Sequence, residues 1–175
     1  MITQKQAAMA WFARQLVGVN ENGNSAIVTR MRKFVDGVAS GEPWCVCFVQ
    51  FCAGEVDELF GAINLPSGPA LLAKTESTQQ LWKDANPATR SPLPQPGNIV
   101  VWRLNADPTR GHCGIVIDAS AESVVTVEGN TSAVAASTEA ERNGRGVWCK
   151  RRVNGDIPGY TRLGYLNPWA LTAAS

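Results

Sequence analysis

Apolar residues recur at helical spacing through the first third of the chain. Ala8, Trp11, Phe12 and Leu16 share one side of a predicted helix, and the run from Asn20 to Ser25 (Asn-Glu-Asn-Gly-Asn-Ser) ends it. Ile27, Val28, Met31, Phe34, Val35 and Val38 predict a second helix, with Arg30, Arg32, Lys33 and Asp36 elsewhere on the wheel. Gly37, Ser40, Gly41 and Pro43 close it. A third helix carries Phe48, Val49, Cys52, Val56, Leu59 and Phe60 on one side. From Asn64 to Gly97 the prolines Pro66, Pro69, Pro87, Pro92, Pro94 and Pro96 predict a surface loop region, with one short helix near Thr78 to Asp84.

After Gly97 the period changes to two. Ile99 to Trp102, Cys113 to Ile117, Val124 to Glu128 and Val147 to Arg151 are strand candidates, and Thr161 to Tyr165 a last short one. Helices followed by an antiparallel meander predict an α+β domain spanning 1–175. Its N-terminal helices should pack on a C-terminal antiparallel sheet of about five or six strands.

Composition narrows the function classes. A formal net charge of +1 gives no case for nucleic acid or an anionic membrane surface. No apolar run approaches the ~20 residues of a membrane span, so membrane insertion is not expected. The N-terminus lacks a charged region followed by an apolar core, which predicts synthesis in the cytoplasm and export through a device supplied by something else. Five cysteines at irregular spacing with a single histidine argue against a disulfide framework or a zinc site. Cys47, Cys52, Cys113 and Cys149 read as small buried hydrophobes.

Cys45 is the exception. It follows a turn and heads the third helix, where unpaired N–H groups and the positive end of the macrodipole favour the nucleophilic thiolate. His112, the only histidine, is then the sole candidate base. It opens the strand ending near Asp118; a turn through Ser120 to Ser123 sets the next strand antiparallel. That strand brings Glu128, or Asn130 two residues on, to the same sheet edge as the orienting group. The backbone N–H of Cys45 is a candidate oxyanion donor.

Four ordered motifs carry a resemblance: Gly41-x-Pro43-Trp44-Cys45-x-x-Phe48-Val49, Pro96-Gly97-Asn98-Ile99-Val100, Gly111-His112-x-Gly114-Ile115-Val116 and Val127-Glu128-Gly129-Asn130-Thr131. Over roughly residues 20–153 the chain resembles the CHAP family, cysteine, histidine-dependent amidohydrolases/peptidases related to NlpC-type and papain-like enzymes. The resemblance implies a papain-like fold and peptidoglycan as substrate. The bond cut would be the N-acetylmuramoyl-L-alanine amide or one within the stem or cross-bridge peptides. By motif position Cys45 resembles the nucleophile, His112 the base, and Glu128 and Asn130 the polar partners.

Two departures stand out. Asn98 replaces the family's usual aspartate, which should alter only a local hydrogen bond. The aspartate-rich calcium loop of some members is reduced to Asp36 and Glu42, so neither calcium nor any other cofactor is expected.

The remaining readings are plainer. Trp44 and Trp102, with Trp82, are candidates to line a substrate groove, whereas Trp11 and Trp148 read as core. Glu21 and Asn24 read as loop residues. Arg142 to Arg145 and Lys150 to Arg152 read as solvated basic faces. The format suits a monomeric phage endolysin. The alternatives are an interbacterial effector paired with an immunity protein, a non-catalytic phage wall-binding or structural module, and a thiol protease or amidotransferase acting on proteins.

Overall fold

The computed structural model describes residues 2–39, 43–63, 68–134, 137 and 143–170. Ser40, Gly41, Glu42, Pro66 and Arg142, which figured in the sequence patterns, lie outside the described residues. Helices come first: α1 (Gln4–Gln15), α2 (Ser25–Asp36), α3 (Cys45–Ala62) and the short α4 (Thr78–Lys83). Six strands follow, β1 (Arg90–Ser91), β2 (Ile99–Leu104), β3 (Gly111–Ala119), β4 (Ser123–Thr131), β5 (Gly146–Val153) and β6 (Tyr160–Leu166). They form one antiparallel sheet in the order β1-β6-β2-β3-β4-β5. This is the expected α+β arrangement, with N-terminal helices and C-terminal strands.

Local chemistry explains the helix ends. Thr3 and Gln6 form a reciprocal capping box at the start of α1, the Gln6 amide N–H donating to Thr3 Oγ1 at 3.1 Å. Gly37, at φ 84°, ends α2 in the left-handed conformation that glycine tolerates best. Ser77 caps α4.

The sheet separates two apolar layers. On one face Ile99, Val101, Cys113, Ile115, Ile117 and Val127 pack with Met9, Ala13, Phe48, Val49 and Cys52 from the helices. On the other, Val100, Trp102, Leu104, Val116 and Val124 pack with Ile157, Tyr160 and Tyr165. Strand parity decides which residue joins which layer. Cys113 pairs with Val101 across β2 and β3, whereas His112 pairs with Trp102 and belongs to the second layer.

Several sequence readings are corrected. Trp11 is 61 % exposed, because the buried side of α1 is defined by Gln6, Met9, Ala10 and Ala13. Trp148 is only partly buried, and Cys149, beside it on the edge strand β5, is exposed. Ile27, Phe34, Val38 and Leu59 leave much of their apolar stripes in solvent. The Pro-rich region also holds β1, too short to show a period. Asn98 is fully buried, its Oδ1 accepting from Gln6 Nε2 at 2.9 Å while its Nδ2 donates to Leu93 O. A neutral amide satisfies both partners there without burying a charge.

Candidate active site

Trp44 precedes α3 without a side-chain capping bond, so Cys45 enters the first helical turn with no polar cap in front of it. Trp44 is buried, and its indole Nε1–H donates to Glu21 Oε1 at 3.0 Å. Glu21 also accepts from Arg32 Nη2 at 2.6 Å, so a loop residue ties α2 to the residue that positions Cys45. Cys45 itself is 3 % exposed and lies on the floor of a cleft of about 540 Å³. Charged side chains from Asp36, Lys74, Glu76 and Arg110 line that cleft, together with the hydroxyls of Thr75, Ser77, Thr78 and Thr109.

Behind the thiol is a buried polar network. His112 is fully buried, and its Nε2 lies 3.0 Å from Glu128 Oε2. An ionised carboxylate can only accept, so Nε2 carries the proton and Nδ1 is the nitrogen left to receive another. That Nδ1 is buried and has no hydrogen-bond partner at bonding geometry. Glu128 is held from three further directions. Thr126 Oγ1 donates to Oε1 at 2.5 Å, Arg152 Nε to Oε1 at 2.9 Å, and Arg152 Nη2 to Oε2 at 2.5 Å. The Trp102 indole stacks on the imidazole with centroids 6.0 Å apart and planes 15° off parallel.

Gly114 makes this geometry attainable. A Cβ there would sit 2.5 Å from Glu128 Cγ, in the path the side chain takes toward His112. Asn130, two residues beyond Glu128, adopts φ 58° where the pairing of β4 with β5 shifts register. The shift interrupts strand alternation, and Asn130 Nδ2 donates to Asn143 Oδ1 at 3.5 Å. Glu128 thus takes the His112 Nε2 bond.

Protonation follows from these contacts. The Cys113 thiol and backbone favour the Cys45 thiolate. Burial opposes it, but the contact and positive charge of His112 add to Cys113, and the net effect lowers Cys45 well below the usual thiol range. Burial disfavours the imidazolium, yet the contacts and charges of Cys45 and Glu128 raise His112 to about 9. Burial also raises Glu128, but His112 and Arg152 outweigh it and hold the carboxyl down to about 2.

The other thiols go the opposite way. Cys47 is pushed up to about 12 by burial and by Glu76, to whose Oε1 it donates at 3.6 Å. Burial raises Cys52, Cys113 and Cys149 as well.

Cys45, His112 and Glu128 are brought together, whereas two expected substrate contacts are not. Trp44 is 1 % and Trp102 0 % exposed, so both back the site instead of lining a groove. Trp82 stacks under the Arg90 guanidinium, 4.7 Å from its ring, at a hollow away from Cys45. Lys150 and Arg152, expected on a solvated face, are buried. The walls formed by Lys74 to Ser77 and Thr109 to Arg110 lie in loops without period and carry no sequence signal. Among the described residues no group of three or more His, Cys, Asp or Glu side chains could hold a metal ion.

No curated protein and no solved structure matches the chain. The family model for the CHAP domain matches residues 37–130, more than half of the chain, and this stretch runs from the end of α2 through Cys45, His112 and Glu128 to Asn130. The chain therefore belongs to the CHAP family, which carries a peptidoglycan hydrolase or amidase-type function in general terms.

Proposed function

We propose that this chain cleaves a peptidoglycan amide by a thiol mechanism, with Cys45 as nucleophile, His112 as general base and acid, and Glu128 as the orienting carboxylate. The observation that carries this reading is the buried His112–Glu128 pair, at 3.0 Å, beside a thiol that heads α3 and opens onto a cleft. The Cys45 thiolate attacks the amide carbonyl carbon, forming a C–S bond and an oxyanion that first-turn N–H groups of α3 can stabilise. Collapse breaks the C–N bond as imidazolium Nδ1 gives its proton to the leaving amine. His112 then takes a proton from water, whose oxygen attacks the thioester. A carboxylic acid leaves and the thiolate is restored.

The bond cut is either the N-acetylmuramoyl-L-alanine amide or one in the stem or cross-bridge peptides. The biological setting favoured by the sequence is a phage endolysin, and a neighbouring holin gene, as opposed to a neighbouring immunity gene, separates it from an interbacterial effector. Incubating purified protein with isolated sacculi and identifying the new ends by mass spectrometry tests the chemistry. Free lactyl carboxyls together with L-Ala N-termini on intact stem peptides mean amidase; new termini within the stem or cross-bridge, with the lactyl amides intact, mean endopeptidase. Cys45→Ala and His112→Ala should each abolish release, and near-full activity in either removes the proposed dyad. Turnover of casein without release from sacculi would favour a protease acting on proteins.

A further inference from the structure

The family match ends at Asn130, yet the best-formed ion pair at the site comes from β5, beyond it. Arg152 stands in a basic run, Lys150-Arg151-Arg152, that reads as surface. Its side chain is nonetheless only 7 % exposed. Removing a guanidinium from water is expensive unless its charge and its directional N–H groups are met. Both are met by one carboxylate, Glu128, through Nε to Oε1 at 2.9 Å and Nη2 to Oε2 at 2.5 Å. The forked geometry fixes the carboxylate's orientation as well as its charge, which lysine could not do.

The partner oxygen is the informative detail. Oε2, which takes Arg152 Nη2, is the same atom that accepts from His112 Nε2. Arg152 also lies over the Trp102 ring at 5.9 Å, and that ring stacks on His112. One side chain therefore touches both the carboxylate and the indole that fix the imidazole. Cys45 on α3 and Glu128 on β4 act on the imidazole directly, while Cys113 on β3 acts on Cys45 and Arg152 on β5 acts on Glu128.

We propose that Arg152 is a positioning residue for the Cys45–His112 chemistry: it locks Glu128 toward His112 Nε2 and so leaves Nδ1 as the nitrogen that takes the thiol proton. This rests on the roles proposed above for Cys45 and His112. Without Arg152 the buried carboxyl can rotate, or take up a proton and donate to Nε2. Donation to Nε2 makes that nitrogen the acceptor and puts the ring proton on Nδ1, the wrong tautomer for a base facing Cys45.

Arg152→Met and Arg152→Lys, alone and with Glu128→Gln, test the assignment. Three readouts apply: kcat and KM on solubilised peptidoglycan, the pH profile of Cys45 alkylation by iodoacetamide, and the thermal midpoint. Arg152→Met should lower kcat about 10–100-fold with KM within about twofold, and slow Cys45 alkylation near pH 6.5 while approaching wild type near pH 9.5. Arg152→Lys should recover part of the loss. Adding Arg152→Met to Glu128→Gln should change kcat little further. A folded Arg152→Met protein with a wild-type profile, or fully additive losses in the double variant, overturns the proposal.

If Arg152→Met does not fold, Arg152→Lys decides alone: an intermediate kcat supports the proposal and an unchanged one overturns it. His112 is the only histidine, so ¹⁵N NMR of the wild-type protein reads its ring directly. Above about pH 9, where the imidazolium is lost, a ring proton kept on Nε2 supports the assignment; a ring proton on Nδ1 there overturns it. The alkylation and NMR readouts need no wall substrate. Intact sacculi alongside Arg152-dependent alkylation would sink the peptidoglycan reading alone, whereas cleavage indifferent to Arg152 would sink only this proposal.

Discussion

Alternate residues of the same strands build two different faces of the sheet. Toward α1 and α3 the side chains are apolar throughout: Ile99, Val101, Cys113, Ile115 and Val127. The opposite face also has an apolar layer, around Trp102, Val116 and Tyr165, but it embeds His112, Thr126, Glu128 and Arg152 within the fold. The first face holds by buried area and packing. The second holds because Glu128, at its centre, receives hydrogen bonds from the other three. Such networks are stable when satisfied and fail when one member is removed. The strand β3 joins the two regimes, sending His112 to one face and Cys113 to the next, and the head of α3 places Cys45 where both act on it.

Substitutions on the two faces should therefore separate stability from activity. Glu128→Ala strands the buried Arg152 charge and should cost about 3–5 kcal/mol of stability, with at least a ~10²-fold loss of kcat. Glu128→Gln keeps the shape and should retain more stability with a similar loss of kcat. Ile115→Ala, on the helix-covered face, should cost about 2–5 kcal/mol while the folded protein keeps its kcat and pH profile. Denaturant melts and sacculus turnover measure each. An Ile115→Ala profile shifted as far as that of Glu128→Gln would break the distinction.

Two glycines sharpen the same contrast at smaller scale. Gly114→Ala puts a methyl group against Glu128 Cγ and should lower kcat roughly tenfold by displacing a positioning group. Gly129→Ala meets Phe48 Cβ at 2.6 Å and Trp44 Cζ3 at 3.0 Å, and should destabilise by about 1–3 kcal/mol through overpacking. Equal effects of the two on kcat per folded molecule would contradict the assignment of faces.

Stability should respond to pH at both ends. Glu128 is depressed from 4.5 to about 2, so its contribution is complete above pH 4.5 and is lost as pH falls through about 2. His112 is raised from 6.5 to about 9, so its contribution is complete below pH 6.5 and is lost as pH rises through about 9. Thermal midpoints of wild type and His112→Ala across pH 5–10 check the alkaline limb, which the variant should lack.

Much of this was legible in the sequence. The strand runs are strong because both faces of the sheet are covered, so β3 and β4 are buried at nearly every residue; the helical stripes are weaker guides, since Ile27, Phe34, Val38 and Leu59 stay partly in solvent. The turn from Ser120 to Ser123 fixes their pairing, which brought Glu128 to His112 from parity alone. Parity failed at Asn130, where a positive φ breaks the alternation.

Arg152 was invisible for another reason. Its partner is 24 residues away on the neighbouring strand, and a basic run carries no local sign that one member turns inward. Trp44 and Trp102 misled because an indole with a polar N–H is equally at home at a groove wall or in a core that offers an acceptor; here Glu21 and Gly155 O supply it.

The smallest effect is expected at Cys113. Cys113→Ala removes a thiol that favours the Cys45 thiolate and should slow Cys45 alkylation at neutral pH by a few-fold, with the cleavage products unchanged. Wild-type alkylation near that of Cys113→Ala would mean that His112 alone sustains the thiolate.

The most direct test of the central claim is the rate of Cys45 alkylation in wild-type protein from pH 5 to 10, resolved by mass spectrometry against Cys149. Cys149 is the exposed thiol and Cys45 the buried one, so exposure alone predicts that Cys149 reacts first. An activated Cys45 paired with His112 should react faster than Cys149 at pH 6–7, with a rate nearly flat up to about pH 9, where the imidazolium is lost. A Cys45 rate that lags Cys149 and climbs about tenfold per pH unit through neutrality, as an ordinary thiol does, would contradict it.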